Sequence, residues 1–195
     1  VALQHCGLRY YQSDNVALDV AERLSRGEIV GWFQGRAEIG ARALGARSIL
    51  ANPQLHKMKD IINARVKYRE GFRPFAPSMI EEAMDKYMVN PKNSPFMILA
   101  YSFKKEFSEL FPSIVHVDGS VRPHTVSKET NPLYWKMINI FGDITGHPIV
   151  LNTSFNVRGE PIVGTPLDAI RCYFSTGMDA LAIGSFVLSK NDETE

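Results

Sequence analysis

Fixed positive charges and small polar side chains are concentrated in two segments that lie far apart in the sequence. Residues 36–73 contain nine Lys or Arg and three Asp or Glu, a net charge of +6, whereas the whole 195-residue chain has a net charge of only +1. The second segment, residues 152–163, reads NTSFNVRGEPIV. A cationic segment in an otherwise balanced protein indicates a site for a small anion such as a phosphate. It does not give the chain-wide basic face expected of a nucleic-acid-binding protein.

Lys67 and Arg69 are the first candidates for holding phosphate oxygens. A lysine offers a compact point charge, and an arginine offers a planar fork that can hold two oxygens. Because one residue separates them, both side chains point the same way only if this run is an extended strand, and Arg73 would then face the same way. A Lys-x-Arg pair taken alone is also typical of a solvated basic surface.

Ser154, Asn156 and Arg158 follow a hydrophobic run and lead into a turn-prone Gly-Glu-Pro sequence. Serine and asparagine side chains can hydrogen-bond phosphate oxygens, but they also cap turns. Taken alone, the pattern favours the turn-capping interpretation. Arg158 adds a further cation to the segment.

Arg36, Arg42 and Arg47 lie in a segment that has glycines at positions 35, 40 and 45. Glycines allow the backbone to approach a ligand closely, and free amides in such a loop can form an anion-binding nest. The segment is neither a P-loop nor a dinucleotide fingerprint, since no Gly-Lys-Ser/Thr follows. A short helical turn with structural arginines is the alternative.

His116 and Asp118 lie at the end of a strand predicted over residues 114–117, where they would share one face and could serve acid–base chemistry or metal binding. We favour a structural His116 and a turn-forming Asp118. The other histidines lack the spacing of zinc ligands, so we predict no metal site built by the protein. The two cysteines predict no disulfide framework and favour a cytoplasmic protein with reduced thiols.

The chain has the length and composition of one globular domain, and no apolar run approaches the length of a membrane span. Helical and strand patterns alternate, which predicts an α/β domain with a mixed parallel and antiparallel sheet. Two prolines predict an edge strand over residues 72–80, and residues 180–188 are predicted as one final strand. We expect a linker from a missing N-terminal domain at residues 1–13, the domain at 14–190 and a tail at 191–195.

The motifs that carry these residues resemble the C-terminal, YrdC-like domain of the carbamoyltransferases, a group that includes antibiotic-tailoring O-carbamoyltransferases and nodulation proteins. They are GRAEIGARALGARSILANP, KYREGFRPFAPS, HVDGSVRPHTV, LNTSFNVRGEPIV and DALAIGSFVLS. The Lys-x-Arg and Ser-x-Asn pairs are similar to the signature of the wider YrdC group. Two positions depart from the family pattern: Ala41 stands where a proline is usual, and His124 stands where a glutamine is usual, while Arg122 beside it is retained.

The resemblance implies a twisted YrdC-type fold that uses ATP and Mg²⁺ to convert carbamoyl phosphate into an enzyme-bound carbamoyl adenylate. An N-terminal domain of actin-like ATPase fold, to which nothing in this chain is similar, would then transfer the carbamoyl group to a hydroxyl of the acceptor. By this resemblance Lys67, Arg69, Ser154 and Asn156 form the catalytic core. The remaining candidates would hold substrate or nucleotide, namely Arg36, Arg42, Arg47, Arg73, His116, Asp118, Arg122 and Arg158.

Two other functions stay open on the sequence alone. Tyr68, Phe72 and Phe75 lie among the cations and could stack bases in an RNA-binding YrdC-like module, although the near-zero net charge speaks against it. The second alternative is a non-catalytic docking domain with a decayed site. The intact Lys-x-Arg and Ser-x-Asn pairs speak against that function.

Overall fold

A mixed eight-stranded sheet forms the centre of the computed structural model, which describes residues 2–190. Its strands are β1 (Tyr11–Gln12), β2 (Val30–Phe33), β3 (Arg47–Ala51), β4 (Ala76–Ile80), β7 (His124–Val126), β8 (Ile149–Ser154), β9 (Ala180–Ile183) and β10 (Phe186–Ser189), while β5 (Tyr101–Ser102) and β6 (Ser120–Val121) form a separate pair. The order in the large sheet is β1-β10-β9-β2-β3-β8-β4-β7. The β2–β9 and β4–β7 pairs are parallel, and the other pairs are antiparallel. The predicted α/β fold with a mixed sheet is confirmed.

Helices pack on this sheet and on one another. The longest, α5, packs against α2 and also contacts β4 and β8, whereas α6 contacts β2 and β9. The helices are α1 (Ala2–His5), α2 (Val16–Ser25), α3 (Met58–Ile62), α4 (Met84–Tyr87), α5 (Pro132–Thr145) and α6 (Pro166–Phe174). A π-helical segment, Asn63–Lys67, continues α3, and short 3₁₀ turns cover Glu81–Ala83 and Lys105–Phe107.

Local capping chemistry defines the two helices that follow residue 130. The Asn131 side chain accepts a hydrogen bond from the Tyr134 amide (3.3 Å) at the start of α5, and Gly146 ends that helix with a left-handed φ of 84°. Thr165 and Asp168 form a reciprocal capping box at the start of α6. Each cap satisfies backbone groups that a helix end leaves unpaired. Both helices therefore begin at residues whose side chains cap them.

Two strand predictions are wrong in detail. Residues 72–80 were expected at a sheet edge, but β4 lies between β8 and β7. Pro77 is tolerated because β7 pairs only with Ser78–Ile80, so the missing N–H removes no bond on that side. The single strand expected over residues 180–188 is a hairpin, β9 and β10, that reverses at Gly184 (φ 56°).

The two ends of the chain were predicted to be a linker and a tail. Residues 2–12, part of the predicted linker, form α1 and β1, and β1 pairs with β10 through Tyr11 and Val187. The linker assignment stays a prediction. The predicted tail, residues 191–195, lies outside the described residues. None of the helices within residues 2–190 has the length and apolarity needed to cross a membrane.

The loop between β2 and β3 is fixed to the hydrophobic core at Gly45. Trp32 Nε1 donates a hydrogen bond to the Gly45 carbonyl oxygen (2.9 Å), and the Gly45 amide donates to Ser48 Oγ (3.2 Å). Gly45 has a φ of 93°, and a Cβ atom at this position would overlap the ring of the fully buried Tyr134. Only glycine satisfies both conditions, so this residue sets the path of the loop that carries Arg42.

Candidate functional site

Lys67 and Arg69 converge through a helix end rather than along a strand. Lys67 closes the π-helical segment, and Tyr68 then adopts a left-handed conformation (φ 47°, ψ 50°), which is uncommon for a residue with a side chain. The reversal lets the Arg69 amide donate to the Asn63 carbonyl oxygen (3.2 Å) and Arg69 Nε donate to Asn63 Oδ1 (2.8 Å). The two cations therefore reach the same site without the extended run that a shared direction would have required.

The Lys67 ammonium group is buried among oxygens of the Ser154–Asn156 turn. Its Nζ donates to the carbonyl oxygens of Ser154 (2.5 Å) and Asn156 (2.9 Å) and to Asn156 Oδ1 (2.8 Å), with Ser154 Oγ at 3.3 Å. Ser154 Oγ itself donates to Asn156 Oδ1 (2.7 Å). Burial lowers the pKa of Lys67 to about 7, and the neighbouring Arg69 charge adds to this effect. The structure thus brings the four residues predicted as the core into one cluster.

A cleft of about 210 Å³ opens beside this cluster, and we call it the lysine cleft. Four cationic side chains line it, and one of them, the exposed Arg158, also faces Glu70 (Nη2 to Oε1, 3.7 Å). Burial lowers the pKa of Arg69, and Arg73 adds to the shift because the two positive charges repel each other. The lining residues are Lys67, Arg69, Arg73, Ser154, Asn156, Val157, Arg158 and Gly159.

A second cleft of about 150 Å³ adjoins the first and shares Arg69 and Ser154 with it; we call it the arginine cleft. Burial lowers the pKa of Arg122, and the nearby Arg42 charge contributes. The guanidinium carbon of Arg69 lies 4.6 Å from the centre of the Phe75 ring. The lining residues are Ala41, Arg42, Ala43, Arg69, Pro74, Phe75, Ala76, Met97, Arg122, Asn152, Thr153 and Ser154.

The charged side chains that line the two clefts are all positive. Among residues 2–190, those that line either cleft include no Asp or Glu, whereas they include Lys67 and five arginines. Clustered cations raise one another's cost of burial, and the exposed Glu70 beside Arg158 offsets only part of this positive charge. An anionic ligand would relieve the remaining cost. The donor set therefore fits a phosphate or another small anion, as the sequence predicted.

Arg47 belongs to the framework of the loop and is not among the described residues that line either cleft, so its assignment as a ligand-holding residue stays a prediction. Its Nη1 donates to the carbonyl oxygens of Gln34 (2.8 Å) and Ala46 (2.9 Å), and Nη2 donates to that of Gly35 (3.1 Å). The guanidinium carbon lies 3.6 Å from the centre of the Phe33 ring. These hydrogen bonds engage both terminal nitrogens, so Arg47 stabilises the loop, while its Nε is buried without a hydrogen-bond partner within residues 2–190.

Glu38 fills the anion nest that was predicted for a ligand. Its Oε1 accepts hydrogen bonds from the backbone amides of Leu44 (2.7 Å), Ala46 (2.7 Å) and Arg47 (3.2 Å). The loop amides therefore bind an anion, but the anion is the chain's own carboxylate. In the sequence, Glu38 was counted only as one of the three acidic residues that reduce the net positive charge of residues 36–73. Arg36, in the same loop, is exposed and is not among the described residues that line either cleft.

His116 and Asp118 form a local turn instead of an acid–base pair at the end of a strand. No strand covers residues 114–117 in the structure. His116 Nδ1 lies 3.1 Å from Ser120 Oγ, and Asp118 Oδ1 accepts from the Ser120 amide (2.9 Å). Neither residue is among the described residues that line the two clefts. This geometry agrees with the structural interpretation, and their assignment as ligand-binding residues stays a prediction.

Three residues outside the predicted site form a buried polar network that starts in the wall of the arginine cleft, at Asn152. Asn152 Nδ2 donates to Ser78 Oγ (2.8 Å), which lies 2.9 Å from Nδ1 of His124. His124, one of the two departures from the family pattern, is therefore part of the framework. Ala41, the other departure, lines the arginine cleft. Asn152 was not predicted, and its place directly after the hydrophobic residues 149–151 of a strand was the available signal.

A comparison with known proteins finds a family model that covers most of this chain. The family model for the Carbamoyltransferase C-terminus matches residues 21–190 of this chain. The nodulation protein NolO of Bradyrhizobium diazoefficiens is 45% identical over 182 residues, which cover 92% of this chain and 33% of that protein. This chain spans about a third or less of the length of such curated relatives.

Two solved structures share the fold. The crystal structure of full-length HypF in its phosphate- and nucleotide-bound form has a TM-score of 0.63 and 19% identity, and the match covers 87% of this chain and 25% of that one. P. abyssi Sua5 complexed with L-threonine has a TM-score of 0.62 and 13% identity, with 87% and 46% covered. At these identities the similarity establishes the fold, and it confirms the predicted YrdC-like architecture.

Proposed function

Since this chain belongs to the family of carbamoyltransferase C-terminal domains, we propose that its two clefts activate carbamoyl phosphate with ATP. The product is an enzyme-bound carbamoyl adenylate, the first half-reaction of an O-carbamoyl transfer. The observation that carries the proposal is the buried Lys67 ammonium among the oxygens of Ser154 and Asn156, with arginines lining the space beside it. This arrangement supports binding of several phosphoryl oxygens close together.

The proposed chemistry requires charge stabilisation and no covalent protein nucleophile. Water releases inorganic phosphate from carbamoyl phosphate and leaves carbamate. A carbamate oxygen attacks the α-phosphorus of ATP, the bond from that phosphorus to the bridging oxygen breaks, and pyrophosphate leaves with the electron pair. Negative charge therefore accumulates on phosphoryl oxygens, where prearranged cations lower the barrier most effectively.

Each part of the clefts has a role in this proposal. Lys67 holds the Ser154–Asn156 turn in place through hydrogen bonds and supplies a buried positive charge at short range. Arg69 belongs to both clefts, so it bridges the nucleotide phosphates and the carbamoyl compound. Arg73 and Arg158 bind pyrophosphate oxygens in the lysine cleft, and the arginine cleft takes the smaller acyl phosphate.

Mg²⁺ enters this proposal through the substrate. Within residues 2–190, no three His, Cys, Asp or Glu side chains are grouped as a metal site. In many nucleotide sites Mg²⁺ is held largely by phosphate oxygens and water, and there it neutralises charge on the phosphates. In this proposal the lysine and the arginines of the two clefts position the phosphates.

Transfer of the carbamoyl group to an acceptor is proposed for a separate N-terminal domain in a longer chain. The relatives are about three times as long as this chain, which supports a division of labour between domains. We therefore propose that the acceptor hydroxyl binds in that separate domain and not in the lysine or arginine cleft.

Release of pyrophosphate tests the proposal. We expect the chain to form pyrophosphate only when carbamoyl phosphate, ATP and Mg²⁺ are all present. Lys67→Met should reduce the rate by at least about a hundredfold, the order of magnitude for one charge-stabilising donor. Lys57→Met, at an exposed lysine of the same basic segment, should retain activity. A chain that forms no pyrophosphate and binds neither ligand in a calorimetric titration would contradict the proposal.

A further inference from the structure

Asn152 lies in the wall of the arginine cleft, on the strand that pairs with both β3 and β4. The residue is only 2% exposed. Its Nδ2 donates to the carbonyl oxygen of Ala43 (2.9 Å) and to Ser78 Oγ (2.8 Å). A carbonyl oxygen can only accept, so the Asn152 amide must direct its nitrogen towards Ala43. The side-chain oxygen, Oδ1, is left as the acceptor.

His124 supports this orientation from behind. Burial lowers the pKa of His124 to about 4, so its imidazole is neutral at neutral pH. Its Nδ1, 2.9 Å from Ser78 Oγ, can take the hydroxyl hydrogen, and Ser78 Oγ is then free to accept from Asn152. Both hydrogens of the Asn152 amide are used within the framework. The amide therefore has little freedom to turn its nitrogen towards a ligand.

Two residues that line the arginine cleft each have a polar side-chain atom that is buried without a hydrogen-bond partner within residues 2–190: Asn152 Oδ1, an acceptor, and Arg122 Nε, a donor. A buried polar atom without a partner costs free energy, so such atoms call for an explanation. A ligand that satisfied both atoms would carry an N–H donor and an oxygen acceptor. A carbamoyl group carries an amino group and an oxygen on one planar carbon.

We propose that Asn152 Oδ1 accepts a hydrogen bond from the amino group of the carbamoyl substrate, which makes Asn152 a specificity-determining residue against acetyl compounds. This inference rests on the proposed function of the arginine cleft. An acetyl group has nearly the same shape but places a methyl group against Oδ1, which then stays unpaired. A site built around such a hydrogen bond rejects the analogue that lacks the donor more strongly than a hydrophobic pocket rejects a shape mismatch.

Two stable phosphonates test this proposal, because they differ only at the atom in question. Phosphonoacetamide carries an amino group, and acetonylphosphonate carries a methyl group in its place. Calorimetric titration of the chain gives the affinity for each, and we expect a preference of about tenfold to a hundredfold for phosphonoacetamide. Equal affinities would overturn the inference alone. Binding of neither phosphonate would overturn the proposed function of the cleft together with the inference.

Variants locate the discrimination at Asn152. Asn152→Ser should bring the ratio of the two affinities close to one while acetonylphosphonate binding is retained. Arg69→Ala should weaken both ligands and leave the ratio unchanged. Ser78→Ala, which removes one of the bonds that fix the amide, should lower the ratio even if Asn152→Ser does not fold, and thermal unfolding checks each variant. A wild-type ratio in folded Asn152→Ser, or in folded Ser78→Ala when Asn152→Ser does not fold, would overturn the assignment.

Discussion

Lys67 carries its ammonium group into the interior of the protein, and this makes the stability of the fold depend on pH. The residue is 4% exposed, and burial lowers its pKa to about 7 from an ordinary value of 10.5. Below pH 7 Lys67 is protonated in both the folded and the unfolded chain, and the cost of the buried charge is fully present. Between the two pKa values the unfolded chain binds the extra proton, so the free energy of unfolding rises with pH.

The size of this rise follows from the pKa shift. Each pH unit in this window adds about 1.4 kcal/mol, so Lys67 contributes an increase of about 3 kcal/mol in the free energy of unfolding between about pH 6 and pH 9. Lys67→Met has no proton to lose and should lack this increase. The difference between the wild-type chain and the variant isolates the contribution, because the other titrating groups are common to both.

Urea unfolding at a series of pH values measures this difference. Lys57→Met is the matched control, since Lys57 is exposed and should leave the pH dependence of the wild-type chain unchanged. Parallel curves for the wild-type chain and Lys67→Met would refute the reasoning. Such a result would mean that the oxygens around Nζ hold the proton in the folded state and offset the cost of burial.

Three further predictions concern the same cationic site and its loop. Inorganic sulfate, whose charge is constant above pH 4, should bind more weakly above about pH 7, because its binding requires the Lys67 ammonium. The affinity should fall by up to about tenfold per pH unit. Calorimetric titration measures the affinity, and an affinity that does not change with pH would contradict this prediction. Glu38→Ala should lower the free energy of unfolding by about 1–3 kcal/mol, since the backbone amides of Leu44, Ala46 and Arg47 lose their carboxylate acceptor. Urea unfolding measures this loss, and an unchanged free energy of unfolding would contradict the role of Glu38 in the loop. Gly45→Ala should cost about 2 kcal/mol or more because the added methyl group overlaps the Tyr134 ring, and an unchanged melting temperature in scanning calorimetry would be evidence against this packing.

Local signals in the sequence were sufficient for several elements of the fold. Asn131 with a following proline, and Thr165 with Asp168 three residues later, are complete start signals, and both helices begin there. The place of β4 was harder to predict, because Pro77 excludes a central position only where both neighbours pair. That condition depends on how far β7 extends, which the local sequence does not encode.

For the candidate site as well, the participating residues were easier to predict from the sequence than the path of the backbone that brings them together. The resemblance of the motifs to a known family, and not the residue types alone, predicted that Lys67 and Ser154 share a site, and their atoms do meet. The path that unites them could not be predicted, because the left-handed Tyr68 is stable only in its tertiary setting. Glu38 and Asn152 were missed for a related reason, since their roles arise from backbone groups that only the folded loop brings near.

Exchange of labelled pyrophosphate into ATP tests the central claim most directly, because it reports reversible cleavage between the α- and β-phosphorus. We predict that the chain catalyses this exchange only when carbamoyl phosphate is present, and that Lys67→Met abolishes it while Lys57→Met does not. Cleavage of ATP to ADP and inorganic phosphate with no exchange would contradict the account, because it would place the reaction at the γ-phosphorus instead of the α-phosphorus.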